Sequence, residues 1–136
     1  MKLSEIWSAA GFLIGLQLGA FSWRLSREIS MAERGEVTWL PLAEVLNLAA
    51  LVVAVLGVFL LPIAGYASLR VPRVFLGVSL ILFAGHAFAL AGHYELFTRE
   101  RPRGPRSWLP RQELVIVGLT VIAVVTFVGI ALSLGA

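Results

Sequence analysis

Apolar residues are gathered into four long blocks along the chain, and shorter charged segments separate them. The blocks run over roughly 6–23, 42–69, 74–98 and 113–135. A helix of ~20 apolar residues crosses the hydrocarbon core of a bilayer, so each block is long enough to predict one transmembrane helix. We therefore expect an all-α integral membrane protein, a four-helix bundle that forms a single membrane domain over residues 1–136.

The composition supports this prediction and excludes a water-soluble globular domain. Hydrophobic residues make up 59% of the chain, charged residues 14%, and the mean hydropathy is +0.90. The first block is interpreted as a retained helix and not as a signal peptide, because Lys2 stands beside Glu5 and no small-x-small cleavage site follows. The chain has no cysteine, which excludes disulfides, thiolate metal sites and cysteine nucleophiles.

One short motif occurs twice, and it divides the chain into two halves. Residues 34–44 and 103–113 are identical at six of eleven positions, with an offset of 69 residues. We interpret the halves as two tandem helical hairpins, over about 6–69 and 74–135, joined by the linker 70–73. Each repeat has an even number of spans, so both have the same orientation, and a pseudo-two-fold axis along the membrane normal is expected.

The repeated motif is typical of a helix start at the membrane surface. A proline suits the first helical position, where its missing N–H costs nothing, and tryptophan anchors a helix among the headgroups. The predicted interfacial residues are Trp39, Pro41, Trp108 and Pro110. Glu44 and Glu113 then fall in the first turn, at the positive end of the helix dipole. A binding or catalytic loop is the alternative interpretation.

Arginine distribution predicts the orientation of the chain. Eight arginines belong to the first and third loops: Arg24, Arg27, Arg34, Arg99, Arg101, Arg103, Arg106 and Arg111. The opposite side has only Lys2, Arg70 and Arg73. The positive-inside rule places loops 24–40 and 99–112 in the cytoplasm and both termini outside. We expect the cytoplasmic membrane of a prokaryote, with the lipid bilayer as partner and no nucleic acid.

The first block carries a stripe of small residues, Gly11, Gly15 and Gly19, at four-residue spacing. In lipid, such a glycine zipper allows two helix backbones to approach closely. The pattern predicts a tight helix–helix contact, whose partner is a helix of this chain, a second copy in a homo-oligomer, or another membrane subunit. In the second block, Pro62 predicts a kink or the effective end of the helix.

Polar residues inside the apolar blocks form the candidate site. With the offset of 69, Gln17 corresponds to His86 and Arg24 to His93, and each pair of positions is seven residues apart on one helical face. The candidate polar cluster consists of Gln17, Arg24, Glu44, Asn47, His86, His93 and Glu113. We expect Arg24 to pair with one glutamate and His93 with the other. The alternatives are helix-linking hydrogen bonds without further function, an arginine that reaches the headgroups, and a polar relay or small-ligand site.

Geometry limits the cofactors that the histidines can bind. Seven residues separate His86 from His93, which is ~10.5 Å along a helix, too far for one metal ion. We predict no metal site and no cofactor. A haem with a single axial histidine is the alternative. No nucleophile–base pair or phosphate loop occurs, so we predict no catalytic residues and no enzyme.

These observations leave three classes of function. The first, which we favour, is a non-catalytic accessory or assembling subunit of a membrane complex. The second is a small transporter or channel protomer whose polar cluster lies at the repeat interface. The third is a haem- or quinone-linked membrane anchor that uses His86 or His93.

Overall fold

Four long helices make up the fold in the computed structural model, which describes residues 2–35, 40–66, 68–94, 96–97 and 110–134. They are α1 (Leu3–Glu33), α2 (Leu42–Ile63), α3 (Arg70–His93) and α4 (Arg111–Ser133). Every regular element of the described residues is helical, and each of these four is long and apolar enough to cross a membrane. The prediction of an all-α fold with four helices that are each able to span a membrane is confirmed.

Helix α1 continues ten residues beyond the end of its apolar block, and the prediction of a loop beginning at residue 24 was wrong. The segment 24–33 contains neither glycine nor proline and continues the helix to Glu33. Its charged residues support the helix, since Arg24 and Glu28 form an (i, i+4) ion pair. The helix ends before Gly35, whose φ of 74° is the left-handed conformation that favours glycine at a helix terminus.

Helix α2 changes its winding before Pro62. Residues Val55–Leu60 are π-helical, and the helix ends at Ile63, as the position of the proline predicts. Pro62 has no N–H to donate to the carbonyl of Val58, four residues earlier. That carbonyl accepts a hydrogen bond from the Trp7 indole Nε1 of α1, at 2.9 Å. The proline therefore leaves the Val58 carbonyl available for the hydrogen bond that links α1 to α2.

Helix α3 begins earlier and ends earlier than predicted. Residues 70–73, expected to link the halves, form its first turn, and Pro72 is tolerated there because first-turn N–H groups have no helical acceptor. The connection from α2 is therefore 64–69, and Gly65 makes the turn with a φ of 96°. The helix ends at His93 and not at residue 98, so this histidine lies at the helix terminus.

Helix α3 lies at the centre of the bundle and packs along both α2 and α4. Contacts such as Ala50 with Ser79 and Ala43 with His86 show that α2 and α3 run antiparallel. Helix α1 makes smaller contacts with α2 and α3, and only marginal contact with α4 at most. Two-fold symmetry would pair α1 with α4 as closely as α2 with α3, so the packing does not show the predicted axis.

Candidate functional site

All seven residues of the candidate polar cluster are buried, none more than 4% exposed. Six of them lie in the half of the bundle where α1 and α3 end and α2 and α4 begin, and Gln17 lies near the middle of α1. Such groups are costly inside a membrane and normally face the bundle interior. Six of the seven belong to three hydrogen-bonded groups, and Glu44 belongs to none.

The first group joins three helices through Glu113 of α4. His93 Nδ1 lies 2.7 Å from Glu113 Oε2, and Oε1 of the same carboxylate accepts from the backbone N–H of Ala43 at 2.8 Å. Ala43 lies in the first turn of α2, where backbone N–H groups have no helical acceptor. Glu113 therefore caps α2 as well as standing in the first turn of its own helix.

Gly92 permits this contact. A Cβ added at Gly92 would lie 3.0 Å from the backbone carbon of Gln112 and 3.0 Å from the backbone nitrogen of Glu113. The missing side chain lets α3 approach the first turn of α4, which places His93 within reach of the carboxylate. Gly85, just before His86, is likewise covered by Thr120 of α4.

His86, the second histidine, bonds to the carbonyl of Ala43, the residue whose N–H donates to Glu113. His86 Nδ1 lies 3.0 Å from the Ala43 carbonyl oxygen, and its ring stacks on Phe83 with centroids 5.9 Å apart. A carbonyl oxygen only accepts, so Nδ1 carries the proton in this contact. The peptide groups of one alanine thus contact His86 directly and, through Glu113, His93.

A second group of polar residues lies deeper in the bundle. Gln17 Nε2 donates to Ser79 Oγ at 3.3 Å, and Ser79 Oγ donates to the Ala50 carbonyl at 2.8 Å. Asn47 Nδ2 donates to the Gln17 backbone carbonyl at 3.2 Å. Sequence reasoning missed Ser79, although it is polar, fully buried and seven residues before His86 on the same face.

The third group corrects the expected partner of Arg24. Its Nη2 lies 2.6 Å from Glu28 Oε1 on the same helix, and its Nη1 donates to the Tyr94 hydroxyl. Neither Glu44 nor Glu113 forms an ion pair with it among the described residues. The extension of α1 is the reason, because it places Glu28 one turn from Arg24. Tyr94, which also accepts from Arg27, was not predicted.

Glu44 is the exception in this network. It is fully buried, and neither carboxylate oxygen has a hydrogen-bond partner. The side chains of Asn47, Arg24 and His86 are near enough to interact with the carboxylate electrostatically. Gln17 Oε1 and Asn47 Oδ1 are also buried and without partners.

The predicted glycine stripe is not a contact within this chain. A Cβ added at Gly11, Gly15 or Gly19 would meet nothing within 4 Å in the described residues. Other glycines carry the internal helix contacts, and each is covered by a side chain or backbone of a neighbouring helix: Gly57, Gly77, Gly85 and Gly92. The signal that sequence reasoning overlooked is the Gly-His pair, which occurs twice, seven residues apart.

The repeated motif is described only in part. Pro41 and Pro110 are buried and immediately precede the first residues of α2 and α4, so each stands one position before its predicted place. Glu44 and Glu113 lie in the first turns as expected. Trp39 and Trp108 fall outside the described residues.

Two cavities on the described residues are lined by neither histidine. One, of about 460 Å³, lies along α3 and α4, and the other, of about 300 Å³, lies beside the first turns of α4; they share Phe97 and Ile116. Their walls are almost entirely apolar. No group of three or more histidine, aspartate or glutamate side chains of the described residues is placed to hold a metal ion. The haem- or quinone-linked anchor stays a prediction.

No protein-family model matches the chain, and comparisons with curated proteins and with solved structures gave no significant match.

Proposed function

We propose that this protein is a non-catalytic, assembling subunit of a membrane complex, and that the outer face of α1 is its packing surface. One observation carries the proposal: the glycine stripe of α1 faces away from its own bundle. A stripe of this kind has value in a membrane only where another helix packs closely against it.

The glycine stripe is part of a longer seam of small residues. At about 100° per residue, eight exposed small residues fall on one third of the helix circumference: Ser4, Ser8, Gly11, Gly15, Gly19, Ser22, Ser26 and Ser30. The buried residues Ile6, Leu13 and Gln17 lie on the opposite side. The seam therefore runs along almost the whole helix on the face away from the bundle.

Polar groups on the seam are compatible with a lipid environment. The hydroxyls of Ser8, Ser26 and Ser30 each donate to the carbonyl four residues earlier, at 3.0 Å. Phe12 and Trp23, exposed by 72% and 63%, border the seam on one side. A shallow groove beside large side chains is the shape that an incoming transmembrane helix fills.

The mass of the complex in mild detergent tests this proposal. We expect the wild type to exceed the 14.7 kDa of one chain, and Gly15→Leu to run as a single chain because leucine blocks close approach. Gly118→Leu is the matched control, since Gly118 of α4 is also exposed with nothing within 4 Å of its Cβ. An unchanged complex in Gly15→Leu would exclude this face as the interface.

A cysteine on the seam identifies the partner. The chain has no cysteine of its own, so Ser22→Cys introduces a single thiol on the exposed face of α1. A disulfide-linked product of twice the chain mass indicates a second copy, whereas capture of another protein indicates a mixed complex.

We also infer the topology. Arginines are concentrated at 24–34, where the chain passes from α1 to α2, and at 99–111, where it passes from α3 to α4. This distribution supports a cytoplasmic position for both connections and a position of the two termini on the opposite side. The repeated motif supports duplication of one helical hairpin, with both copies in the same orientation.

A small transporter or channel protomer is the second candidate function. It is favoured by the buried polar cluster, which contains hydrogen-bonding groups without partners. Intramembrane ionisable residues commonly mark ion pathways. Loss of transport in His93→Ala, with the mass of the complex unchanged, would favour this second candidate.

A further inference from the structure

We propose that Glu44, Asn47 and Gln17 form a binding site for one exchangeable monovalent cation, a proton or an alkali ion of the Na⁺ class. The proposal goes beyond assembly, because the site lies on the buried face of α1 and the glycine stripe on the exposed face.

The site is defined by four buried oxygen atoms that lack partners: both carboxylate oxygens of Glu44, Gln17 Oε1 and Asn47 Oδ1. The three residues are at most 1% exposed. Leaving a buried acceptor unpaired is costly in any protein, and more so in a membrane, where water does not replace the missing donor. Four such acceptors together require positive charge or a donor.

Contacts of Asn47 make the three residues neighbours. Glu44 and Asn47 are three residues apart on one face of α2, and the Asn47 side chain lies beside the Glu44 carboxylate. The Asn47 amide also reaches α1, where its Nδ2 lies 3.2 Å from the Gln17 backbone oxygen. Asn47 therefore links the glutamate of α2 to the glutamine of α1.

Arg24, His86 and His93 each contact a partner other than Glu44. Arg24 is paired with Glu28 at 2.6 Å, and His93 with Glu113 at 2.7 Å. His86, which also faces Glu44, donates its Nδ1 proton to the Ala43 carbonyl. Glu44 has no ion pair among the described residues, so a single positive charge completes the cluster.

The chemistry of the site selects the class of cation. Carboxylate and amide oxygens bind hard cations, whereas thiolate and imidazole donors suit transition metals. One carboxylate balances a single charge and not a divalent ion. A proton on Glu44 turns one oxygen into a donor for Asn47 or Gln17, and an alkali ion accepts electron pairs from the oxygens together.

Thermal unfolding of the purified full-length protein in detergent tests the site. Melting temperatures are measured in NaCl and in choline chloride at equal ionic strength, at several pH values. A ligand that binds only the folded state raises the melting temperature. For an alkali-ion site, Na⁺ raises the melting temperature of the wild type by several degrees, but not that of Glu44→Gln, whose neutral amide supplies its own donor.

Infrared difference spectroscopy provides a second readout, which follows the carboxyl group itself and not the melting temperature. A pH step that changes the carboxyl C=O band of a buried acid, lost in Glu44→Gln, identifies the proton. A Na⁺ step at fixed pH that changes the same band identifies the alkali ion. Glu5→Gln is the control, because Glu5 is an exposed glutamate on α1.

Gln17→Leu separates the two cations further. It removes one coordinating oxygen at nearly constant volume, so the Na⁺ response should weaken at least tenfold while a proton response persists. If neither Na⁺ nor pH changes the melting temperature or the Glu44 band of the wild type, the proposal is overturned.

Discussion

Glu44 and Glu113 occupy the same position of the repeated motif but have opposite surroundings. Both are fully buried in the first turn of a helix. Glu113 bonds through both oxygens, to His93 and to the Ala43 N–H, whereas Glu44 bonds through neither. One carboxyl group holds helices together, and the other, we propose, binds a cation.

This difference predicts unequal effects on stability. Glu113→Ala leaves the Ala43 N–H without its acceptor and removes the carboxylate from His93, and each buried group left unpaired costs about 1–3 kcal/mol. Glu44→Ala removes two unpartnered oxygens and should lower the free energy of unfolding less. A denaturant titration followed by circular dichroism measures both. Equal losses would contradict the roles assigned to the two carboxylates.

The approach of α3 to α4 predicts a second result. Gly92→Ala adds a Cβ about 3.0 Å from the backbone of α4, and overpacking of a well-filled core typically costs 1–3 kcal/mol. The control is Gly118→Ala, where the added Cβ meets nothing within 4 Å, and which should be neutral or slightly stabilising. The same titration compares the variants, and equal effects would argue against a close helix contact at Gly92.

Trp7 and Pro62 should be coupled energetically. Trp7→Phe removes the hydrogen bond to the Val58 carbonyl, a loss of about 0.5–1.5 kcal/mol. Pro62→Ala supplies an N–H that can serve the same carbonyl, so the loss from Trp7→Phe should be smaller in that background. A double-mutant cycle measures the coupling, and additive effects would show that the proline does not open this acceptor.

Much of the fold could be predicted from the apolar blocks, because a membrane span requires length and hydrophobicity more than any particular residue. The C-terminal third of α1 could not, since residues 24–33 are too polar for a hydropathy signal yet contain no helix breaker. The predicted partner of Arg24 was wrong for the same reason, because a helix that continues to Glu33 places Glu28 one turn from Arg24.

The orientation of the chain predicts distinct labelling of the two membrane faces. Single cysteines at Ser30 and Ser133 report on opposite ends of the bundle without interference, because the chain has none of its own. We expect a membrane-impermeant maleimide to label Ser133→Cys in intact spheroplasts and Ser30→Cys only after permeabilisation. The reverse pattern would invert the topology inferred from arginine distribution.

The burial of the seven polar residues could be predicted from the sequence, because polar groups in apolar blocks normally face the bundle interior. Their pairing did not follow, because it depends on helix register and on which glycines let helices approach. Gly11, Gly15 and Gly19 look like the principal packing residues in the sequence, yet Gly92 controls the contact that matters for His93. The spacing of residues within one helix identifies a face of that helix, but it does not identify the helix that packs against this face.

Ala43 shows how a peptide group can organise a site that side-chain chemistry alone would not reveal. Its carbonyl accepts a hydrogen bond from His86, and its N–H donates to the carboxylate that also binds His93. Selection at this position should act on volume, because a fully buried methyl group leaves no room for a larger residue. A comparison of related sequences would then record a small apolar residue at position 43, while the physical link between the two histidines runs through its main chain.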